Sequence, residues 1–233
     1  MKRMLALLLG VGCLLAASDE IPQPIQITKT ERADLPAGGT VRLKNSTGDL
    51  TIEGWDQPGV EITTIKSTKL AYTAGSKERK EASDDLDQVK VGVSHDGGEL
   101  VITTDFHRGR RYLPRPSVGY RQFDLEYRIK VPRDAKLIVD HDEGEIHIDD
   151  VAGDIHATTN QGTITLRLAE AGQYLIDAKS RIGEVISDIP GNTKRKRFGH
   201  EFVQTVQAPH SLYLRNGFGD IIILRMRKPA ALQ

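Results

Sequence analysis

Apolar and polar residues alternate along this chain in short runs, and in its middle the alternation restarts every nine residues. Residues 142–150, 151–159 and 160–168 align so that Gly144, Gly153 and Gly162 share one register, each followed two residues later by isoleucine. A period of two puts Ile146, Ile148 and Ile155 on one face, and His147, His156 and the neighbouring carboxylates on the other. A unit of this kind holds one short strand and a glycine turn, and it cannot bury its apolar face until other units stack on it. The pattern predicts an all-β fold, a β-solenoid built as a flattened two-layer array of short strands with glycine turns. Two nine-residue units form one coil, which puts successive glycines at opposite edges.

The same strand, glycine, strand unit opens earlier at 41–52 around Gly48. It returns with drift at 175–186 around Gly183 and at 212–223 around Gly219. Gln26 to Glu31 reads as an entry strand, and 60–64 and 123–131 alternate as half-buried strands. Residues 89–94 and 99–104 flank His95-Asp96-Gly97-Gly98, whose paired glycines predict a tight hairpin. Three stretches interrupt the alternation and read as insertions. Residues 67–87, rich in Lys, Glu, Ser and Asp, form a loop or a short exposed helix. Residues 106–121, with Pro114 and Pro116 among arginines, form an exposed loop, as do residues 191–209. The organisation is then a leader over 1–18, an entry segment over 19–38, and a single domain over 39–233 with those loop insertions.

The leader is predicted from Lys2 and Arg3, the apolar run from Met4 to Ala17, and the small residues Ala16-Ala17-Ser18, which read as a secretory signal peptide cleaved after Ser18. The run is shorter than the ~20 residues a membrane-spanning helix needs, so no permanent transmembrane anchor is expected. Cys13, the only cysteine, offers lipoprotein attachment as a minor alternative, although Gly10-Val11-Gly12 lacks the usual large aliphatic residue at the third position upstream. Loss of Cys13 with the leader leaves a chain held by packing alone, located in the periplasm or at the cell surface. The full chain balances 32 basic against 32 acidic residues, so removal of Lys2 and Arg3 leaves it slightly acidic, with no global signature of nucleic-acid binding. Aromatics at 5% suit a thin body with few large core residues.

Asn45-Ser-Thr-Gly48-Asp-Leu-Thr-Ile-Glu-Gly-Trp55-Asp56, Tyr127-Arg-Ile-Lys-Val-Pro132 and the repeated glycine-X-isoleucine units together resemble the bacterial adhesin-like domains of unknown function, over most of residues 39–226. That resemblance implies an exported or membrane-linked β-solenoid with an envelope or surface role in adhesion or envelope stress. It carries over no catalytic residue, and Trp55 falls in a turn where it is expected to pack.

Candidate chemistry is sparse. His147 and His156 recur beside Asp142, Glu143, Glu145, Asp149, Asp150 and Asp154, but the units have a lone glycine where calcium-binding nonapeptides have a glycine pair and an aspartate, so solvated outward side chains are expected and no metal. His200-Glu201 lacks the second histidine of a zinc-protease motif, because position 204 is Gln. No nucleophile elbow, phosphate loop or dinucleotide fingerprint is present, so no catalytic residue and no cofactor is assigned. Arg108, Arg110, Arg111, Tyr112, Arg115 and Tyr120 form one candidate binding set, and Lys194, Arg195, Lys196 and Arg197 a second. Arginine pairs with carboxylates and phosphates in bidentate fashion, and tyrosine stacks on sugar rings. The expected partner is an anionic envelope polymer, a glycan or another surface protein. The expected function is non-enzymatic binding or a structural role. A solenoid-type polysaccharide-processing enzyme using exposed carboxylates and an envelope-stress scaffold are the alternatives.

Overall fold

Alternation at period two becomes strand after strand in the computed structural model, which describes residues 21–106, 123–169 and 174–226. The leader, Cys13 and the whole arginine-tyrosine set from Arg108 to Tyr120 lie outside the described residues. The strands are β1 (Gln23–Ala33), β2 (Thr40–Thr47), β3 (Asp49–Trp55), β4 (Val60–Tyr72), β5 (Val89–Asp96), β6 (Glu99–Phe106), β7 (Phe123–Pro132), β8 (Lys136–Glu143), β9 (Ile146–Asp149), β10 (Ile155–Gln161), β11 (Ile164–Leu168), β12 (Tyr174–Ser180), β13 (Val185–Ser187), β14 (Asn192–Arg195), β15 (His200–Gln204), β16 (His210–Phe218) and β17 (Ile221–Arg225). One helix, α1 (Lys77–Asp87), joins β4 to β5.

The strands form two open sheets, ordered β1-β4-β7-β3-β9-β11-β17-β13 and β14-β15-β12-β16-β10-β8-β2-β6-β5. Within each, six strands run parallel in matching order: β7, β3, β9, β11, β17, β13 in the first and β6, β2, β8, β10, β16, β12 in the second. Each pair that is consecutive in the chain makes one rung, with one strand in each sheet. Ile155 lies opposite Leu137 and Ile164 opposite Ile146, an eighteen-residue offset that corresponds to two of the nine-residue units. The rungs are not stacked in chain order, because β16 and β17 sit between β10/β11 and β12/β13. Antiparallel strands finish the edges: β4 against β7 and β1 against β4 in the first sheet, β5 against β6, β15 against β12 and β14 against β15 in the second.

The alternation sends its apolar half between the sheets. Leu43, Val139, Ala157, Leu214 and Ala178 line up in the second sheet, facing a core that includes Ile52, Ile148, Leu166 and Ile223 from the first, all at 1% exposure or less. Each such valine, leucine or isoleucine side chain contributes about 1.5–3 kcal/mol by leaving water. His147 is half-buried and His156 exposed on the outer faces, as the period requires.

Chain crossings at one edge use Gly48, Gly144, Gly162, Gly219 and Gly183, which stack as a column. Gly162 has φ +131°, and a Cβ there would fall on the carbonyl oxygen of Gly144, whose own φ is +128°. Backbone bonds tie the column together: the Gly144 N–H donates to Gln161 O at 3.1 Å, Gly162 to Phe218 O at 3.0 Å and Gly219 to Ile182 O at 2.8 Å. The acidic residue after several of these glycines caps the next rung. Asp49 Oδ1 accepts from the Glu145 N–H at 3.3 Å and Asp220 Oδ1 from the Glu184 N–H at 2.8 Å, and after Gly153, Asp154 Oδ1 accepts from the Ser211 N–H at 2.9 Å. Asp154 was expected to be a solvated carboxylate, yet it satisfies a backbone donor, as Asp49 and Asp220 do.

Of two expected insertions, the first takes its helical alternative after a longer β4 and the second is corrected. Residues 67–87 continue β4 as far as Tyr72 and then form α1, because Ser76 accepts the Arg79 N–H at 3.1 Å as an N-cap. Leu86 is buried, and the Lys66 ammonium donates to Leu86 O and Val89 O, which docks the helix end. Residues 191–209, expected as a loop, contain the β14–β15 hairpin, because Phe202 is buried at 2% exposure and its strand pairs with β12. The predicted hairpin at Gly97-Gly98 is present, with φ of +57° and +87° at the two glycines.

Candidate functional site

The four cations of the second candidate set sit on the hairpin that ends the second sheet. β15 holds to β12, β14 is outermost, and Lys196 N–H donates to Gly199 O at 2.8 Å to close the turn. Lys194, Arg195, Lys196 and Arg197 are all exposed. Lys196 pairs with Glu201, and Lys179 reaches the same carboxylate at 3.0 Å. Those two ammonium groups, Lys196 first, pull the Glu201 carboxyl down to about 2. Among the described residues, no carboxylate lies within ion-pair distance of Lys194, Arg195 or Arg197. The Arg197 guanidinium instead lies 4.9 Å from the centre of the exposed Phe198 ring.

The register extends this charge inward across the sheet. Lys194 lies opposite Glu201, Glu201 opposite Lys179, and Lys179 opposite Arg215. Strands about 4.8 Å apart thus carry a row of three cations interrupted by one acid. Arg215 stacks 3.7 Å over the Tyr213 ring and bonds Asp177 Oδ2 at 2.6 Å. Tyr213 in turn lies 4.4 Å from the His156 ring. The sequence indicated Lys194 to Arg197. It did not indicate Lys179, Arg215, Tyr213 or His156 as their neighbours, because β16 is inserted out of chain order. The arrangement can present fixed, solvent-facing positive charge and an aromatic surface to a flexible polyanion, with attraction that weakens as salt rises.

A second polar group lies inside. Ser46, His141, Thr159, Asn216 and Ser180 face one another across neighbouring strands at 2–5% exposure, each two or three residues before a column glycine. Ser46 Oγ lies 2.8 Å from His141 Nδ1, a spacing that also suits a nucleophile and its base. Burial keeps this pair from any substrate, however, and pushes the imidazole down to about 4. The group serves the turns: Asn216 donates to Gly162 O at 2.7 Å and Ser180 Oγ to Gly219 O at 2.7 Å. The polar residue ahead of each turn glycine was the available signal for it.

No family model matches the chain, and no curated protein does. Solved structures that resemble it include a protein of Clostridium sporogenes provisionally assigned to cell adhesion, at 13% identity over 87% of this chain and 100% of that one, with a TM-score of 0.49. A provisionally named adhesin of Bacteroides fragilis aligns at 9% identity over 88% and 99%, with a TM-score of 0.28. A provisionally named lipid-binding protein of Parabacteroides distasonis aligns at 6% over 86% and 97%, with a TM-score of 0.23. At such identities and scores these likenesses assign neither activity nor ligand. Among the described residues no helix is long and apolar enough to cross a membrane.

Proposed function

We propose that this chain is a non-enzymatic, exported binding protein of the cell envelope or surface, in which a flattened solenoid body holds the β14–β15 hairpin against an anionic envelope polymer. The observation that carries the reading is the row of Lys194, Lys179 and Arg215, flanked by Arg195, Lys196 and Arg197 and offset mainly by Glu201 and Asp177. Its cations are anchored on paired strands, so they lose less freedom on binding than cations on an unpaired loop would. Phosphate, sulfate and carboxylate groups along a polymer fit such a row, whereas a single small anion would gain only one of its contacts.

The test is co-sedimentation of the purified protein with isolated cell envelopes at low and high salt, beside a variant in which Lys194, Arg195, Lys196 and Arg197 are Ala. Binding that falls with salt and is lost in the variant supports the reading. Binding that persists in the variant refutes the hairpin as its carrier.

A further inference from the structure

Away from the hairpin, the crossing between β3 and β4 borders an open cleft of about 310 Å³, shared with the β1–β2 and β7–β8 turns. That volume lies at the small end of the ~300–1,000 Å³ of small-ligand sites. Its apolar surface comes from Trp55, Pro58 and Pro132, and its rim from Asp56, Gln57, Arg133 and Asp134. Trp55 is the only tryptophan in the chain. Its ring is only half-buried, yet it is fixed: Nε1–H donates to Gly59 O at 3.1 Å, and the Lys130 ammonium lies 5.7 Å from the ring centre.

Ion pairs brace the rim. The Arg133 guanidinium is clamped between Asp56 at 3.1 Å and Asp150 at 2.7 Å. Beneath it, Gly54 packs so closely on the Asp150 carbonyl that the crossing leaves no room for a side chain there. The cleft therefore presents a rigid indole bordered by carboxylate acceptors, a carboxamide that both donates and accepts, and a guanidinium donor that is already neutralised.

We infer that the Trp55 cleft binds one or two neutral sugar rings of a glycan chain. A pyranose offers an apolar C–H face to an indole and a belt of hydroxyls that need acceptors and donors together, which is the mixture of Asp56, Gln57 and Arg133. A polyanion would meet the Asp56 carboxylate, and a purely apolar ligand would leave the rim unpaired. The site is independent of the hairpin: β3 and β13 are four strand spacings apart in the first sheet, and the hairpin ends the second.

The single tryptophan makes the test direct. Neutral oligosaccharides (N-acetylglucosamine, glucose and mannose tetramers) are titrated against the whole protein while tryptophan emission is followed, with choline and dextran sulfate as comparison probes. Saturation-transfer NMR of the same sugars reports binding without relying on the fluorophore. The expected result is saturable quenching or a blue shift with at least one neutral oligosaccharide, unchanged in 0.5 M salt and unchanged by alanines at Lys194 to Arg197. Trp55→Ala should weaken the NMR-detected binding about tenfold or more, and Trp55→Phe less. Asp56→Ala with Gln57→Ala alters two exposed side chains, keeps the fluorophore, and should weaken binding by a similar factor. Silence from all neutral sugars in both readouts, a response to choline alone, or sugar binding indifferent to the Asp56/Gln57 pair would each overturn the inference. Failure here leaves the envelope co-sedimentation result untouched.

Discussion

The glycine column and the basic hairpin are built on opposite terms. Along Gly48, Gly144, Gly162, Gly219 and Gly183, turn amides bond to the next rung, the polar residue ahead of a turn binds its carbonyls, and a side chain at Gly162 would meet backbone. The hairpin is joined to the body by one ladder, by Phe202 and by the Gly183 N–H bond to Phe198 O, and its four cations face water. One region spends its residue choices on being stackable, the other on being available. Changes at the column should therefore alter stability, and changes at the hairpin should alter binding.

The largest effect expected is at the column. Gly162→Ala must place a Cβ against the Gly144 carbonyl at φ +131°, and should cost more than about 4 kcal/mol in urea unfolding. Gly92→Ala, in a strand with nothing within 4 Å of the added carbon and no positive φ, should change stability by less than about 1 kcal/mol. Equal losses at the two sites would remove the distinction between the column and the remaining glycines. Next in size, Leu166→Ala in the core should cost about 2–5 kcal/mol.

His141 sharpens the comparison through pH. Its imidazole is buried neutral, with a folded value near 4 against 6.5 when exposed, so protons bind the unfolded chain preferentially. Its contribution is therefore complete above about pH 6.5 and fades as the pH falls from there toward 4, by up to about 3 kcal/mol. The unfolding free energy of the parent should drop over that window more steeply than that of His141→Gln, and parallel curves would contradict this. Smallest of all, alanines at Lys194 to Arg197 should shift stability by no more than about 1 kcal/mol, since exposed ion pairs contribute little. Glu201→Gln, which removes the acid in the cation row, should tighten salt-sensitive envelope binding.

How much of this was legible follows the same division. The glycine-X-isoleucine period disclosed the strands, their inward faces and the eighteen-residue rung, because burial and close approach leave few residue types acceptable there. It did not disclose that β16 and β17 enter between earlier rungs, since alternation specifies which side chains face inward but not which neighbour a strand takes. Nor did it show that Asp49, Asp154 and Asp220 cap backbone amides: a carboxylate after a turn reads the same whether water or an N–H meets it. Lys194 to Arg197 were visible as charge, but their strand was not, because the one buried anchor, Phe202, lies beyond the turn. Trp55 was read as packing, but it is half-buried, and the cleft beside it depends on Pro132 and Arg133 at the distant end of β7 and the turn after it.

The most direct test of the division between scaffold and binding element is amide hydrogen exchange of the whole protein, with and without dextran sulfate as a generic polyanion. The account predicts slowest exchange in β9, β11 and β17, faster exchange across 192–204, and added protection confined to 192–204 and the facing segments of β12 and β16 when the polyanion is present. Protection that appears elsewhere, or a hairpin as slow as the central rungs and unmoved by the polyanion, would contradict it.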